Sequence, residues 1–269
     1  MTTKDNRPIG IFDSGVGGLT IVREVLSQLP NEEIVYFGDT LRAPYGGLDT
    51  QTITAYTLQI CDFLIEQNIK ALVVACNTID ALCLEAITKA YQPLPIIGVI
   101  EPACRKTATV ANASVGLMAT VASVRSGAHE KMLRSFGGRQ AFYSCPCPTL
   151  VPLVEDLKLG TDYAKQEVRK YTEELLSKGI DALILGCTHY PFLRPEVEAV
   201  TGDKITIIDP ALYTVSALAQ TLQNLGAQRQ DPHPPQHKFY ISGDTSKFFA
   251  IYRLISPDTP DVTNHILRK

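Results

Sequence analysis

Long apolar runs are missing from this 269-residue sequence. The N-terminus, MTTKDNRPIGIFDSG, has none of signal-peptide length, and no later segment is long enough to span a bilayer. An excess of either charge is missing too. The net charge is −3, so nothing electrostatic points to nucleic acid or to an anionic membrane. An even set of cysteines is also absent. The seven, at positions 61, 76, 83, 104, 145, 147 and 187, argue against a disulfide framework. These absences predict a soluble cytosolic protein with reduced thiols, each to be explained as packing or as chemistry. What is present is a globular mixture, 45% hydrophobic and 20% charged, in a chain long enough for one large domain or two ordinary ones.

Short apolar runs recur at Ile34–Phe37, Ala71–Ala75, Ile96–Ile100, Val115–Ala119, Ala182–Leu185, Ile205–Ile208 and Phe239–Ser242. They lack polar alternation, which predicts strands buried on both faces of a parallel sheet. Between them lie stripes with helical spacing: Ile53, Tyr56, Ile60 and Leu64; Val168, Tyr171 and Leu175; Val215, Leu218, Leu222 and Leu225. Strand and helix in repetition predict an α/β fold. An internal repeat refines this. IKALVVACNT (69–78) aligns with IDALILGCTH (180–189), placing Cys76 on Cys187. IGIFDSGVGG (9–18) aligns more weakly with VGLMATVASV (115–124). Two lobes of similar fold follow.

In an open α/β sheet, ligands bind at the carboxyl ends of the strands. Cys76 and Cys187 both close a buried strand there, followed by Asn77-Thr78 and Thr188-His189, steps suited to capping a helix. Pro191 is expected just inside the second of those helices. A helix start favours the thiolate through its free N–H groups and its dipole. Two opposed thiols suit inversion at a carbon, one removing a proton and the other delivering one to the far face. A free thiol titrates near ~8.5, so modest shifts make either state accessible. The developing carbanion needs further donors. Asp13-Ser14-Gly15-Val16-Gly17-Gly18, Phe37-Gly38-Asp39-Thr40 and the loop around Pro44-Tyr45-Gly46 supply candidates, with Asn77, Thr78, Thr120, Thr188 and His189.

Other readings compete with this one. Gly15, Gly17 and Thr20 after a strand, with Asp39 closing the next, approximate a dinucleotide fingerprint, but the third glycine is missing and the cysteine repeat is left unexplained. A nicotinamide-dependent enzyme is therefore one alternative, and a non-catalytic two-lobed binding protein another. His233 and His237 beside the proline-rich loop 231–236, and the pair Cys145 and Cys147, lack the further ligands that a metal needs. Cys61, Cys83 and Cys104 read as packing.

The motifs DSGVGG (13–18), GDTLRAPYG (38–46), ACNT (75–78) and GCTHYP (186–191), in this order, make the chain resemble glutamate racemase, within the aspartate/glutamate racemase superfamily. The resemblance runs from Ile9 to about Gly243. It implies a pseudo-symmetric α/β fold of two lobes, each a mostly parallel sheet flanked by helices, with the active site in the cleft between them. Residues 1–97 with 210–269 would form one lobe and 98–209 the other. It implies glutamate as substrate, no pyridoxal phosphate and no metal, a homodimer, and supply of D-glutamate for bacterial peptidoglycan. Aspartate remains an alternative substrate. Cys76 would handle the proton of D-glutamate and Cys187 that of L-glutamate. Asp13, Ser14, Pro44, Tyr45, Gly46, Asn77, Thr78, Thr120, Thr188 and His189 would contact substrate. Asp13 would also tune Cys76, and His189 would tune Cys187. Glu155 is similar to a family glutamate proposed to assist catalysis.

The sequence departs from the family pattern at a few places. Ile79-Asp80 follow Thr78 where Ala-Ser is common, Ala119 and Ser123 stand for glycine and threonine, and His129 replaces a common tyrosine. Asp80 is expected near the edge of the cleft.

Overall fold

Strands without polar alternation arise where helices cover both faces of a sheet. The computed structural model, which describes residues 5–267, has two such sheets. The chain runs β1 (Ile9–Asp13), α1 (Leu19–Gln28), β2 (Ile34–Gly38), α2 (Thr50–Glu66), β3 (Ala71–Val74), α3 (Asn77–Ala90), β4 (Ile96–Gly98) and α4 (Ile100–Val110). It continues through β5 (Ser114–Ala119), α5 (Val121–Ser126), α6 (Ala128–Ser135), β6 (Ala141–Pro146), α7 (Leu150–Glu155), α8 (Asp162–Leu176), β7 (Ala182–Gly186), α9 (Arg194–Thr201) and β8 (Thr206–Ile208). It ends with α10 (Pro210–Leu225), β9 (Lys238–Ile241), α11 (Thr245–Tyr252) and β10 (Asp261–Asn264).

The first sheet has the order β10-β9-β2-β1-β3-β4 and the second β6-β5-β7-β8. Every pairing is parallel. The order β2-β1-β3-β4 thus recurs as β6-β5-β7-β8, which gives the sequence repeat its spatial meaning. A shared packing detail confirms the register. A Cβ added at Gly10 of β1 would lie 2.7 Å from Ile69 Cδ1, and one added at Gly116 of β5 would lie 2.6 Å from Ile180 Cδ1. Glycine there lets the isoleucine before the adjacent strand close over the sheet. The first sheet adds β9 and β10 beyond β2.

Phe12, Phe37 and Val74 point to one face of the first sheet, where α2 and α3 cover them, while Ile11, Tyr36 and Val73 point to the other. That second face shares one apolar core with the second sheet. The helices start where local chemistry allows. Asp49 caps α2 by accepting the Thr52 N–H (2.9 Å), Thr120 caps α5, and Asp209 with Pro210 opens α10. α10 closes on Gly226 at φ 64°, in the left-handed region. The chain leaves the first sheet after β4 and rejoins it at β9. The connecting helices α4 and α10 pack on each other.

Three sequence expectations are corrected. Ile100 is not strand but opens α4. Two edge strands, β6 and β10, lie where no continuous apolar run marked them. And no α-helix begins at Thr188: Tyr190–Leu193 forms a 3-10 turn holding Pro191, and α9 starts only at Arg194.

Candidate active site

The carboxyl ends of β1, β2, β3, β5, β6 and β7 converge on a cavity of about 720 Å³. Cys76 and Cys187 both line it. So do Asp13, Ser14, Pro44, Tyr45, Gly46, Asn77, Thr78, Thr120, Glu155, Thr188 and His189, which brings together the residues that the family resemblance assigned to catalysis or substrate contact.

Cys76 sits between the end of β3 and the first turn of α3, and is 6% exposed. Its sulfur lies 3.3 Å from the Ser14 hydroxyl, which reaches Asp13 Oδ1 at 3.4 Å. Asp13 is itself buried and held by the Gly18 N–H at 2.6 Å. Burial pushes the Cys76 thiol far above its usual range, and the Asp13 carboxylate pushes the same way. Hydrogen bonds from Ser14 and the Ile79 N–H oppose them and lose. The helix start alone favours a thiolate, but here it is outweighed and Cys76 rests as a thiol. Burial likewise raises the Asp13 carboxyl, against the pull of His189 and of the Gly18 N–H.

Cys187 closes the second sheet's equivalent strand and meets an imidazole. His189 Nδ1 lies 3.7 Å from the sulfur, and its Nε2 lies 3.3 Å from Glu155 Oε1. Burial disfavours the imidazolium, but hydrogen bonds to Cys187 and Glu155, with the charges of Cys187 and Asp13, outweigh it and raise His189 to about 10. Glu155 is held below the usual carboxylate range, chiefly by that hydrogen bond to His189. A carboxylate that orients an imidazole against a thiol is the arrangement that activates cysteine nucleophiles and bases. His189 is wedged from the other sheet as well. A Cβ on Gly17 would collide with its ring and would lie 2.6 Å from Thr188 Oγ1.

Neutral donors fill the rest of the wall. Thr78 Oγ1 and Thr120 Oγ1 lie 3.1 Å apart across the cleft, and Thr120 donates onward to Ser123 at 3.0 Å. Asn77 and Thr78 do not cap α3; Cys76 occupies the cap position, and the two stand in the first turn facing the second sheet's helices. Tyr45 lines the cavity, yet its hydroxyl donates to buried Asp39, which leaves the backbone of 44–46 to face a ligand. Asp39 also accepts from Ser242 and pairs with Arg42. It is fully buried and committed, so it is not available to a ribose, and the dinucleotide reading loses its acidic residue.

Asp80 is another correction. It does not line the cavity; its carboxylate accepts the Ile100 N–H at 2.7 Å and caps α4, while burial raises it to about 7. His233 pairs with Asp231 on the surface (2.7 Å). Residues that the sequence did not assign to the site include Cys147, Asp156, Asp244 and Lys247, all in the cavity wall. Lys247 of α11 reaches Glu155 Oε2 at 3.6 Å. No helix among the described residues is long and apolar enough to cross a membrane.

Known proteins match this architecture. The model of the Asp/Glu/hydantoin racemase family matches residues 20–218. A glutamate racemase from Enterococcus faecalis is 40% identical over 245 residues, covering 90% of this chain and 89% of the relative. Among solved structures, a glutamate racemase isoform from Bacillus anthracis superposes with a TM-score of 0.92 at 36% identity, covering 99% of both chains. A glutamate racemase from Francisella tularensis in complex with D-glutamate superposes with a TM-score of 0.89 at 33% identity, covering 98% of each.

Proposed function

The chain belongs to the Asp/Glu/hydantoin racemase family and interconverts L- and D-glutamate, and on that premise we propose that Cys76 and Cys187 are its two proton-transfer groups. The observation that carries this reading is the pair of thiols in one cavity, at corresponding strand ends of two sheets, each with its own charged neighbour.

In the resting site Cys76 is a thiol, and Cys187 faces the His189 imidazolium. L-glutamate binds between them. Cys187, as the thiolate, takes the α-proton and becomes a thiol. Cys76 then gives its proton to the opposite face, which yields D-glutamate and leaves Cys76 as the thiolate. After D-glutamate leaves, Cys187 loses its proton to solvent and Cys76 regains one, which restores the resting site. In the reverse direction the Cys76 thiolate takes the α-proton of D-glutamate and the Cys187 thiol protonates the opposite face. Between these steps negative charge spreads from the α-carbon into the α-carboxylate. Asn77, Thr78, Thr120 and Thr188 present neutral donors at that place, worth most where water is excluded. Glu155 and Asp13 act on the thiols through His189 and Ser14. Family membership supports reading the product as a peptidoglycan precursor, and the working form as a cytosolic homodimer.

The test is exchange in D2O. From L-glutamate the native enzyme gives D-glutamate deuterated at Cα. In Cys76→Ser, Cys187 still removes the α-proton of L-glutamate, so L-glutamate gains deuterium without inversion and D-glutamate gains none. Cys187→Ser reverses the pattern. Either change lowers racemisation by roughly 10³-fold or more while glutamate still binds. Near-native turnover in either variant overturns the mechanism.

A further inference from the structure

The turn after β7 has a break in its backbone bonding. The Tyr190 N–H donates to the Cys187 carbonyl at 3.0 Å, and the Phe192 N–H to the His189 carbonyl at 3.1 Å. This is the three-residue step of a 3-10 turn. Between the two, the Thr188 carbonyl would take the N–H of residue 191, but residue 191 is proline and has none. Thr188 is 5% exposed, and a buried carbonyl without a donor is costly. Its donor comes from the other half of the molecule. The hydroxyl of Thr20, in the first turn of α1, lies 3.0 Å from the Thr188 oxygen.

Thr20 has one hydroxyl proton and two acceptors within reach, since its Oγ1 also lies 3.0 Å from the Gly17 carbonyl. That carbonyl already accepts the Thr20 N–H at 3.0 Å. For Thr188, the Thr20 hydroxyl is the donor that reaches the carbonyl among the described residues. Satisfying both carbonyls therefore directs the proton to Thr188. Thr20 is fully buried and does not line the cavity, so any part it has in the reaction passes through what it holds. It holds the peptide between Thr188 and His189. That unit is planar, so fixing its oxygen fixes the direction in which the His189 backbone leaves it. From there the imidazole turns back to Cys187, with Nδ1 3.7 Å from the sulfur.

We propose that Thr20 is a positioning residue, whose hydroxyl supplies the donor that Pro191 lacks and so sets His189 against Cys187. Gly17, just before α1, packs on the same loop, where an added Cβ would lie 2.6 Å from Thr188 Oγ1. The tie runs from α1 of the first sheet to the loop after β7 of the second. The His189 end of the site is therefore assembled only when the two halves are correctly docked. This inference rests on His189 acting on Cys187.

The experiment is kinetics with α-protio and α-deuterio glutamate, in both directions, on four variants with melting temperatures recorded alongside. Thr20→Val keeps the shape, removes the hydroxyl and lowers kcat/KM by about tenfold, as slight misplacement of a catalytic group does. The effect of α-deuteration grows with L-glutamate and shrinks with D-glutamate, because the transfer at Cys187 is the one slowed. A purely structural loss would lower the active fraction and leave both isotope effects native. Thr20→Ser returns the hydroxyl and restores kcat/KM to within about twofold. Pro191→Ala supplies the missing N–H, so on that background Thr20→Val costs only about twofold. If Thr20→Val alone does not fold, recovery of folding on the Pro191→Ala background is the expected result, and its absence overturns the inference. A folded Thr20→Val with native isotope effects overturns it too, as does a loss of equal size with and without Pro191→Ala. Near-native turnover in Cys187→Ser would instead overturn the role of Cys187 beneath it, which keeps the two failures distinct.

Discussion

Cys76 and Cys187 hold equivalent places in two copies of one strand pattern, yet their charged neighbours do not. In the repeat Asp13 falls on Ala119 and Ser14 on Thr120, while Thr78 falls on His189. The first half therefore places a carboxylate before the cysteine loop and a neutral hydroxyl after it. The second half has a methyl group before and an imidazole after. The result is one thiol pushed toward its neutral form and one thiol facing a cation. In the proposed mechanism the repeated backbone supplies the positions of an acid and a base, and two side chains at non-equivalent positions decide which is which.

The most damaging way to break that difference is to remove either charged neighbour. His189→Asn and Asp13→Asn each lower kcat/KM by about 10²-fold, the range for a group that assists proton transfer. The loss is the same in both directions, because mirror-image substrates interconvert with an equilibrium constant of unity. The asymmetry appears in isotope effects instead. His189→Asn slows the transfer at Cys187, so the effect of α-deuteration grows with L-glutamate and shrinks with D-glutamate. Asp13→Asn does the reverse. Isotope effects that move together for the two enantiomers would show that the neighbours do not act on separate thiols.

Gly17→Ala sharpens the comparison from the other side, since it lies in the first half and acts on the second. Its new methyl group meets the His189 ring and Thr188 Oγ1. Displacing that ring lowers kcat/KM by about tenfold or more, as ångström-scale misplacement does in an active site. Native activity in a folded Gly17→Ala variant would remove the wedge.

A smaller effect separates the halves by pH. The imidazolium persists up to about 10 because Cys187 and Glu155 favour the charged form. Activity is therefore present below that value and falls as pH rises through it. In Glu155→Gln the carboxylate that supports the cation is gone, so the basic limb moves to lower pH. A limb that stays in place, or moves up, would exclude Glu155 from tuning His189.

The sequence reveals the repeat because buried strands and their terminal cysteines are dictated by local pattern. Ala71–Val74 and Ala182–Gly186 are apolar on both faces, and no polar alternation hides them. β6 and β10 escape the same criterion because they are sheet edges whose residues are largely exposed. Missing β6 also hid Cys147, which follows it into the cavity wall. The charge states were not legible either. A helix start argues for a thiolate at Cys76, and only the packed structure shows Asp13 and burial opposing it. Asp80 reads as a cleft residue by its distance in sequence from Cys76, but one helical turn carries it round to cap α4.

The weakest tie between the halves makes the mildest prediction. Lys247, on α11 of the first sheet's C-terminal extension, meets Glu155 at 3.6 Å and is 55% exposed. A half-exposed lysine is well solvated, so its attraction is largely screened and salt-dependent. Lys247 also lowers Glu155 less than His189 does. Lys247→Met, which keeps the length and removes the charge, should therefore change kcat/KM by about twofold at low ionic strength and by nothing measurable at about 0.5 M salt. The direction follows from the contact. Glu155 freed from lysine is shared less and pairs more fully with His189, so the basic limb stays in place or moves slightly up. A loss of tenfold or more, persisting in high salt, would mean that Lys247 touches substrate, and would transfer part of carboxylate recognition from neutral donors to this cation.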